Sequence, residues 1–106
     1  MASSDHLPVL YQDIILALNP KSEGRYVDGT LGAGGHAAGL LKASAPDGEI
    51  LGLDVDPQAL EIARKNLSEF GTRATILQAS YTTLTEQLEK VCWTSIDGMV
   101  LDLGDR

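Results

Sequence analysis

Tyr26-Val27-Asp28-Gly29-Thr30-Leu31-Gly32-Ala33-Gly34-Gly35-His36 decides how this chain reads. A short apolar run ends in an acid, a glycine-rich turn follows, and a helical pattern begins after it. Strand, tight loop and helix N-terminus together make a site for a small polar ligand. The glycines let backbone approach the ligand closely, and the first helical N–H groups point at it.

Upstream of that stretch, Leu10, Ile14 and Leu18 recur at four-residue spacing and predict one face of a helix over residues 8–19. Pro8 suits its first position, and Asn19-Pro20 stops it. After a polar turn at 21–24, residues 25–28 form the first strand. Downstream, residues 34–43 read as a helix with Leu40 and Leu41 inward, and Ala45-Pro46-Asp47-Gly48 is a turn. Residues 49–54 form the second strand, whose run Ile50, Leu51, Leu53 fits a strand covered on both faces. Asp56-Pro57 supplies an N-cap and a first-position proline for a helix over 57–70. Leu60, Ala63, Leu67 and Phe70 share its inner face, and Gly71 ends it. Residues 73–78 form the third strand. Thr83-Leu84-Thr85-Glu86 matches a capping box ahead of the stripe Leu84, Leu88 and Val91. Residues 96–103 form the fourth strand, centred on Met99, Val100 and Leu101.

Strands alternating with helices imply right-handed crossovers and a parallel α/β sheet. A doubly wound sheet of four parallel strands takes the order 3-2-1-4 with flanking helices. Its ligand crevice lies at the carboxyl ends, where the order reverses between strands 1 and 4. Asp28 and the glycine loop, Asp54, Ala79-Ser80-Tyr81 and Asp102 all fall at those ends. One such acid could serve merely as a helix cap or turn former; the joint pattern points to a site.

The chain has 106 residues, room for one small domain spanning 1–106. Its formal net charge is -7, and its eight Lys and Arg are scattered, so by itself it is poorly suited to grip a nucleic-acid backbone. No apolar run approaches the ~20 residues of a membrane span, and the first residues have no basic or apolar signal pattern. The lone Cys92 excludes an internal disulfide and suits a cytoplasmic protein. It reads as a small residue on a helix's apolar face, and Trp93 as a core or interface aromatic.

Asp54 lies 20 residues after Gly34, where an acid closing the second strand can accept both hydroxyls of an adenosine ribose. That allows two cofactor classes. Gly32-x-Gly34-x-x-Ala37 satisfies the permissive dinucleotide fingerprint and admits an NAD-binding module. Asp28 argues against it: a carboxylate beneath the loop repels a pyrophosphate but attracts the ammonium and sulfonium groups of S-adenosylmethionine. Of the loop pattern Asp-x-Gly-x-Gly-x-Gly, Asp28, Gly32 and Gly34 are present, with Thr30 at the first glycine position. A third reading is a non-binding structural or assembly unit.

Four segments carry a more specific likeness: His6-Leu7-Pro8-Val9-Leu10, the string from Tyr26 to His36, Leu53-Asp54-Val55-Asp56-Pro57, and Asp97-Gly98-Met99-Val100-Leu101-Asp102-Leu103-Gly104. Together they resemble the bacterial small-subunit ribosomal RNA methyltransferases that modify the exocyclic amine of a cytosine. The resemblance covers nearly the whole chain. It implies half of a Rossmann-like methyltransferase sheet and S-adenosylmethionine as cofactor. It implies that Gly34, Gly35 and His36 contact the methionine part, and that Asp54 binds the ribose. It also sets Tyr81 against the adenine and Asp102 near the methyl-transfer region. Ser80 stands where many members have Asp or Asn. No metal site is expected, and no catalytic residue is assigned.

Members of that family are much longer, so the chain resembles their N-terminal, cofactor-binding half. That half is expected to bind cofactor without turning over ribosomal RNA by itself. An open fourth strand would be an apolar edge, which implies a homodimer joined through it.

Overall fold

The computed structural model describes residues 21–101. The helix expected over 8–19, the segment His6–Leu10 and Asp102 lie outside the described residues.

Among the described residues four parallel strands form the sheet: β1 (Arg25–Asp28), β2 (Glu49–Asp54), β3 (Ala74–Gln78) and β4 (Gly98–Val100), in the order β3-β2-β1-β4. Tyr26 lies opposite Ile50 and Gly98, Asp28 opposite Gly52 and Val100, and Asp54 opposite Gln78. The α1 helix (Gly35–Ala43) links β1 to β2, α2 (Pro57–Asn66) links β2 to β3, and α3 (Leu84–Lys90) links β3 to β4. The expected strand order is borne out.

Side chains of successive strand residues leave opposite faces of a sheet. Tyr26 and Ile50 accordingly face one layer, with Leu31, Leu40, Leu41 and Leu60. Val27, Leu51 and Leu53 face the other, under Leu84, Leu88, Val91, Trp93, Ile96 and Met99. Trp93 is half-buried against this layer, and the Arg25 guanidinium lies 5.2 Å from its ring centroid. Two-sided burial explains why β2 is apolar almost throughout. Its glycine is part of that packing: Gly52 shares the face of Ile50, against the buried Leu31.

Element ends differ from the sequence reading where side chains compete for backbone partners. Gly34 does not start α1 but caps it, in the left-handed region at φ +92°. Asp56 caps α2 as expected, accepting from the Gln58 N–H at 2.9 Å beside Pro57. The α-helical part of α2 stops at Asn66, short of Phe70. The Ser68 hydroxyl donates to the Lys65 carbonyl at 2.9 Å, and the 3-10 turns that follow over Ser68–Arg73 are broken by a kink at Gly71, φ +57°. β3 therefore begins at Ala74 instead of 73.

The capping box at Thr83 does not form. Thr83 Oγ1 donates to the Ser80 carbonyl at 2.8 Å and accepts from Gln87 Nε2 at 3.1 Å. Ser80 instead caps a 3-10 turn (Tyr81–Thr83), accepting from the Thr82 N–H at 3.1 Å. β4 is shorter than expected. Ile96 packs in the core ahead of it, and Asp97 joins Arg25 by a pair of bonds at 2.7 and 2.8 Å. Cys92 is not on a helix face: it follows α3 at φ +62° and is exposed. Among the described residues, no helix is long and apolar enough to cross a membrane.

A Cβ added at Gly52 would come within 2.7 Å of Leu31 Cδ1, and Leu31 is only 3% exposed, so it has no room to swing away. The gain in strand propensity from Gly to Ala is about 0.5–1 kcal/mol; overpacking costs about 1–3 kcal/mol. Gly52→Ala is therefore expected to lower stability by about 1–2 kcal/mol in urea unfolding. Unchanged or increased stability would contradict this account of the β2 packing.

Candidate functional site

The site forms where β1, β2 and β3 end. β1 delivers Asp28 to the start of the glycine loop. Asp28 is buried at 1% exposure and its Oδ1 accepts the Thr30 N–H at 3.1 Å, which tightens the first turn. The next residues are stitched to neighbouring strands: the Gly29 N–H donates to the Val100 carbonyl at 2.9 Å, and the Leu31 N–H to the Leu53 carbonyl at 2.8 Å. Gly29 has to lack a side chain, because a Cβ there would lie 2.8 Å from Tyr81 Cβ and 2.5 Å from Leu101 Cδ2.

β2 delivers Asp54. Its Oδ2 accepts the Gly32 N–H at 2.8 Å and its Oδ1 accepts the Asp56 N–H at 2.9 Å. Its backbone carbonyl accepts the Ala79 N–H at 3.0 Å. One residue therefore joins the loops that follow β1, β2 and β3. An ionised carboxylate has about four lone-pair positions. The two bonds leave acceptor capacity on both oxygens.

A cleft of ≈ 160 Å³ opens between these loops, lined by Gly29, Thr30, Asp54, Val55, Ala79, Ser80 and Tyr81. Val55 is 62% exposed beside Asp54. Val55 and Tyr81 give the cleft apolar surface, Asp54 gives it a charged acceptor, and Ser80 gives it a hydroxyl. The Ser80 hydroxyl is engaged with Thr82, 2.8 Å between oxygens.

Beside the cleft the glycine loop turns into α1. A Cβ built on Gly32 or Gly35 would meet no atom within 4 Å. The Gly34 N–H donates to the Leu31 carbonyl at 2.9 Å, and the Ala38 N–H to the Gly34 carbonyl at 2.8 Å. Among the described residues the N–H groups of Ala33 and Gly35 have no such acceptor. Open space and unspent donors at a helix start suit a carboxylate or phosphate. His36 follows in the first turn of α1, partly buried.

The structure thus brings Asp54 and Tyr81 into one cleft. It strings Gly32, Gly34, Gly35 and His36 along the adjoining loop and helix start, and it sets Asp28 beneath that loop, outside the cleft lining. Asp102 lies outside the described residues. Val55 was missed as a lining residue; its signal is an apolar residue between the strand-ending acid and the N-cap Asp56. Among the described residues no group of three or more His, Cys, Asp or Glu could hold a metal ion.

A model of the MraW methylase family matches residues 3–105. The chain belongs to that family. The likeness seen in the four sequence segments is therefore borne out. This MraW-family chain is 48% identical over 101 residues to "Ribosomal RNA small subunit methyltransferase H" of Syntrophus aciditrophicus, a match covering 95% of this chain and 32% of that protein. The chain spans about a third of the length of the curated relatives it matches. Among solved structures, a protein-L-isoaspartate O-methyltransferase superposes with a TM-score of 0.75 at 16% identity, covering 92% of this chain and 29% of that one. A putative rRNA-methylase from Clostridium thermocellum superposes with a TM-score of 0.66 at 20% identity, covering 81% and 48%. These two share the fold: a parallel sheet with flanking helices of the Rossmann-like methyltransferase type.

Proposed function

We propose that this chain is a cofactor-binding unit of a ribosomal RNA cytosine-amine methyltransferase and that its ligand is S-adenosylmethionine. The observation that carries the reading is Asp54: a carboxylate at the end of β2, fixed by two backbone N–H groups, facing a cleft with exposed Val55 and Tyr81 on its walls. Its remaining lone pairs match two adjacent ribose hydroxyls. Val55 and Tyr81 offer apolar surface to a flat adenine. The spare N–H groups of Ala33 and Gly35 suit the methionine carboxylate, with Gly34 and His36 on the same loop. Asp28 supplies negative charge under the loop for the ammonium and sulfonium groups, and the family resemblance adds Asp102 as an acid near the methyl-transfer region. When bound, the cofactor supplies an activated methyl group; these residues bind and orient it. The dinucleotide alternative draws no support from the family match.

The relatives are named as small-subunit ribosomal RNA methyltransferases, and we propose the same substrate for a protein built around this unit. The chain by itself does not turn RNA over in this reading. Its net charge of -7 opposes a polyanion, and methyl transfer depends on holding the acceptor amine in line with the methyl group. A cytoplasmic setting agrees with the exposed free Cys92.

Isothermal titration of the purified chain tests the reading. S-adenosylmethionine is expected to bind saturably and NAD not at all, and Asp54→Ala to weaken binding about tenfold or more, the loss of hydrogen bonds to a charged group. Incubated with ribosomal RNA and methyl-labelled cofactor, the chain alone transfers no label above a protein-free control. Absence of binding, or preference for NAD, overturns the proposal.

We also propose that the 106-residue chain in isolation forms a homodimer through β4. Among the described residues β4 pairs only with β1 and no strand lies along its outer edge, with Leu101 40% exposed beside it. Light scattering coupled to size-exclusion chromatography at micromolar concentration should give twice the chain mass; the mass of one chain would overturn the dimer.

A further inference from the structure

The C-terminal end of α2 grips the glycine loop at two points. Asn66 Nδ2 donates to the Ala33 carbonyl at 3.0 Å, across 33 residues of sequence. Next to it the buried Leu67 packs against Gly34, where a Cβ would come 3.2 Å from Leu67 Cγ. The peptide between Ala33 and Gly34 is therefore held at both ends. Its carbonyl is bound by Asn66, and its N–H donates to the Leu31 carbonyl at 2.9 Å. Such a double hold matters here because Gly34 sits at φ +92°, and glycine populates positive and negative φ about equally. Nothing in its own stereochemistry selects the observed peptide orientation.

We infer that Asn66 is a positioning residue for the cofactor loop: its side-chain amide holds the Ala33 carbonyl away from the space in front of the Gly35 N–H, where the methionine carboxylate is received. The inference rests on the cofactor reading above. Released from Asn66, the Ala33–Gly34 peptide can rotate. A carbonyl turned toward that space repels a carboxylate where an N–H would bind it. The adenosine end of the cleft, built on Asp54, Val55 and Tyr81, is untouched by such a rotation. Asn66 is exposed, so removing its side chain opens no cavity in the core.

The test compares two ligands that share the adenosine end and differ at the amino-acid end. Wild type, Asn66→Ala and Asn66→Asp are titrated with S-adenosylmethionine and with 5′-methylthioadenosine, which lacks the amino-acid group. Asp is nearly isosteric with Asn but cannot donate to Ala33 when ionised. Both variants are expected to lose about fivefold to tenfold in affinity for S-adenosylmethionine, the effect of one hydrogen bond, and to bind methylthioadenosine like wild type. Amide exchange at Gly34, read by NMR without ligand, is expected to quicken in both. Wild-type affinity for S-adenosylmethionine in the variants overturns the inference, as does an equal loss for the two ligands, which is the mark of a general structural role. If wild type binds neither ligand, the cofactor reading fails. Gly34 exchange then judges the loop contact by itself: unchanged exchange shows that Asn66 does not hold the loop, and faster exchange shows that it does.

Discussion

The carboxyl end of the sheet depends on one carboxylate. Asp54 receives the Gly32 N–H on one oxygen and the Asp56 N–H on the other, while its backbone carbonyl receives the Ala79 N–H. The loops after β1, β2 and β3 are thereby held to a single residue. Hydrogen bonds to an ionised acceptor contribute about 1.5–3 kcal/mol each, with the lower figure apt for a partly exposed group. Without them the glycine loop is held on its β2 side by the Leu31–Leu53 backbone bond and by Leu31 packing against Gly52. The same carboxylate caps the turn into α2, so the ligand-facing acid and the architecture cannot be separated.

The sheet explains why that residue can do so much. Parallel strands bring all their carboxyl ends to one edge, and the order β3-β2-β1-β4 puts β2 between the strands whose loops Asp54 reaches. The two-sided burial of β1 and β2 then makes this edge rigid. Tyr26, Ile50 and Leu31 lock one face, and Val27, Leu51 and Leu53 the other. Gly29 and Gly52 let neighbouring side chains come closer than any Cβ would permit. Rigidity matters because a small polar ligand is recognised by donors and acceptors fixed before it arrives.

Much of this was legible in the residues themselves. Strand positions and order followed from apolar runs punctuated by Gly, Pro and Asp, and the family from strings such as Gly-Thr-Leu-Gly-Ala-Gly-Gly-His. Asp54 and Tyr81 do meet in one cleft. Interactions between elements far apart in sequence were not legible. Asn66 reaching Ala33 leaves no local pattern, whereas the place of Asp28 beneath the loop did follow from its position at the end of the first strand. The Thr83 capping box failed because Ser80, three residues earlier, had already taken up the chain in a 3-10 turn. Cys92 escaped the helix because α3 ends at Lys90 and the chain then enters a positive-φ residue. Each miss has the same source: side chains competing for the few unsatisfied backbone groups at element ends.

The central claim is that the strand ends around Asp54 receive S-adenosylmethionine. Proton–nitrogen correlation NMR of the labelled chain, recorded before and after saturation with the cofactor, tests it most directly. The account predicts shifts concentrated in the amides of Gly32 to His36, Asp54 to Asp56, and Ser80 and Tyr81. An unchanged spectrum would contradict it, and so would shifts centred elsewhere, such as the 3-10 segment Ser68–Arg73.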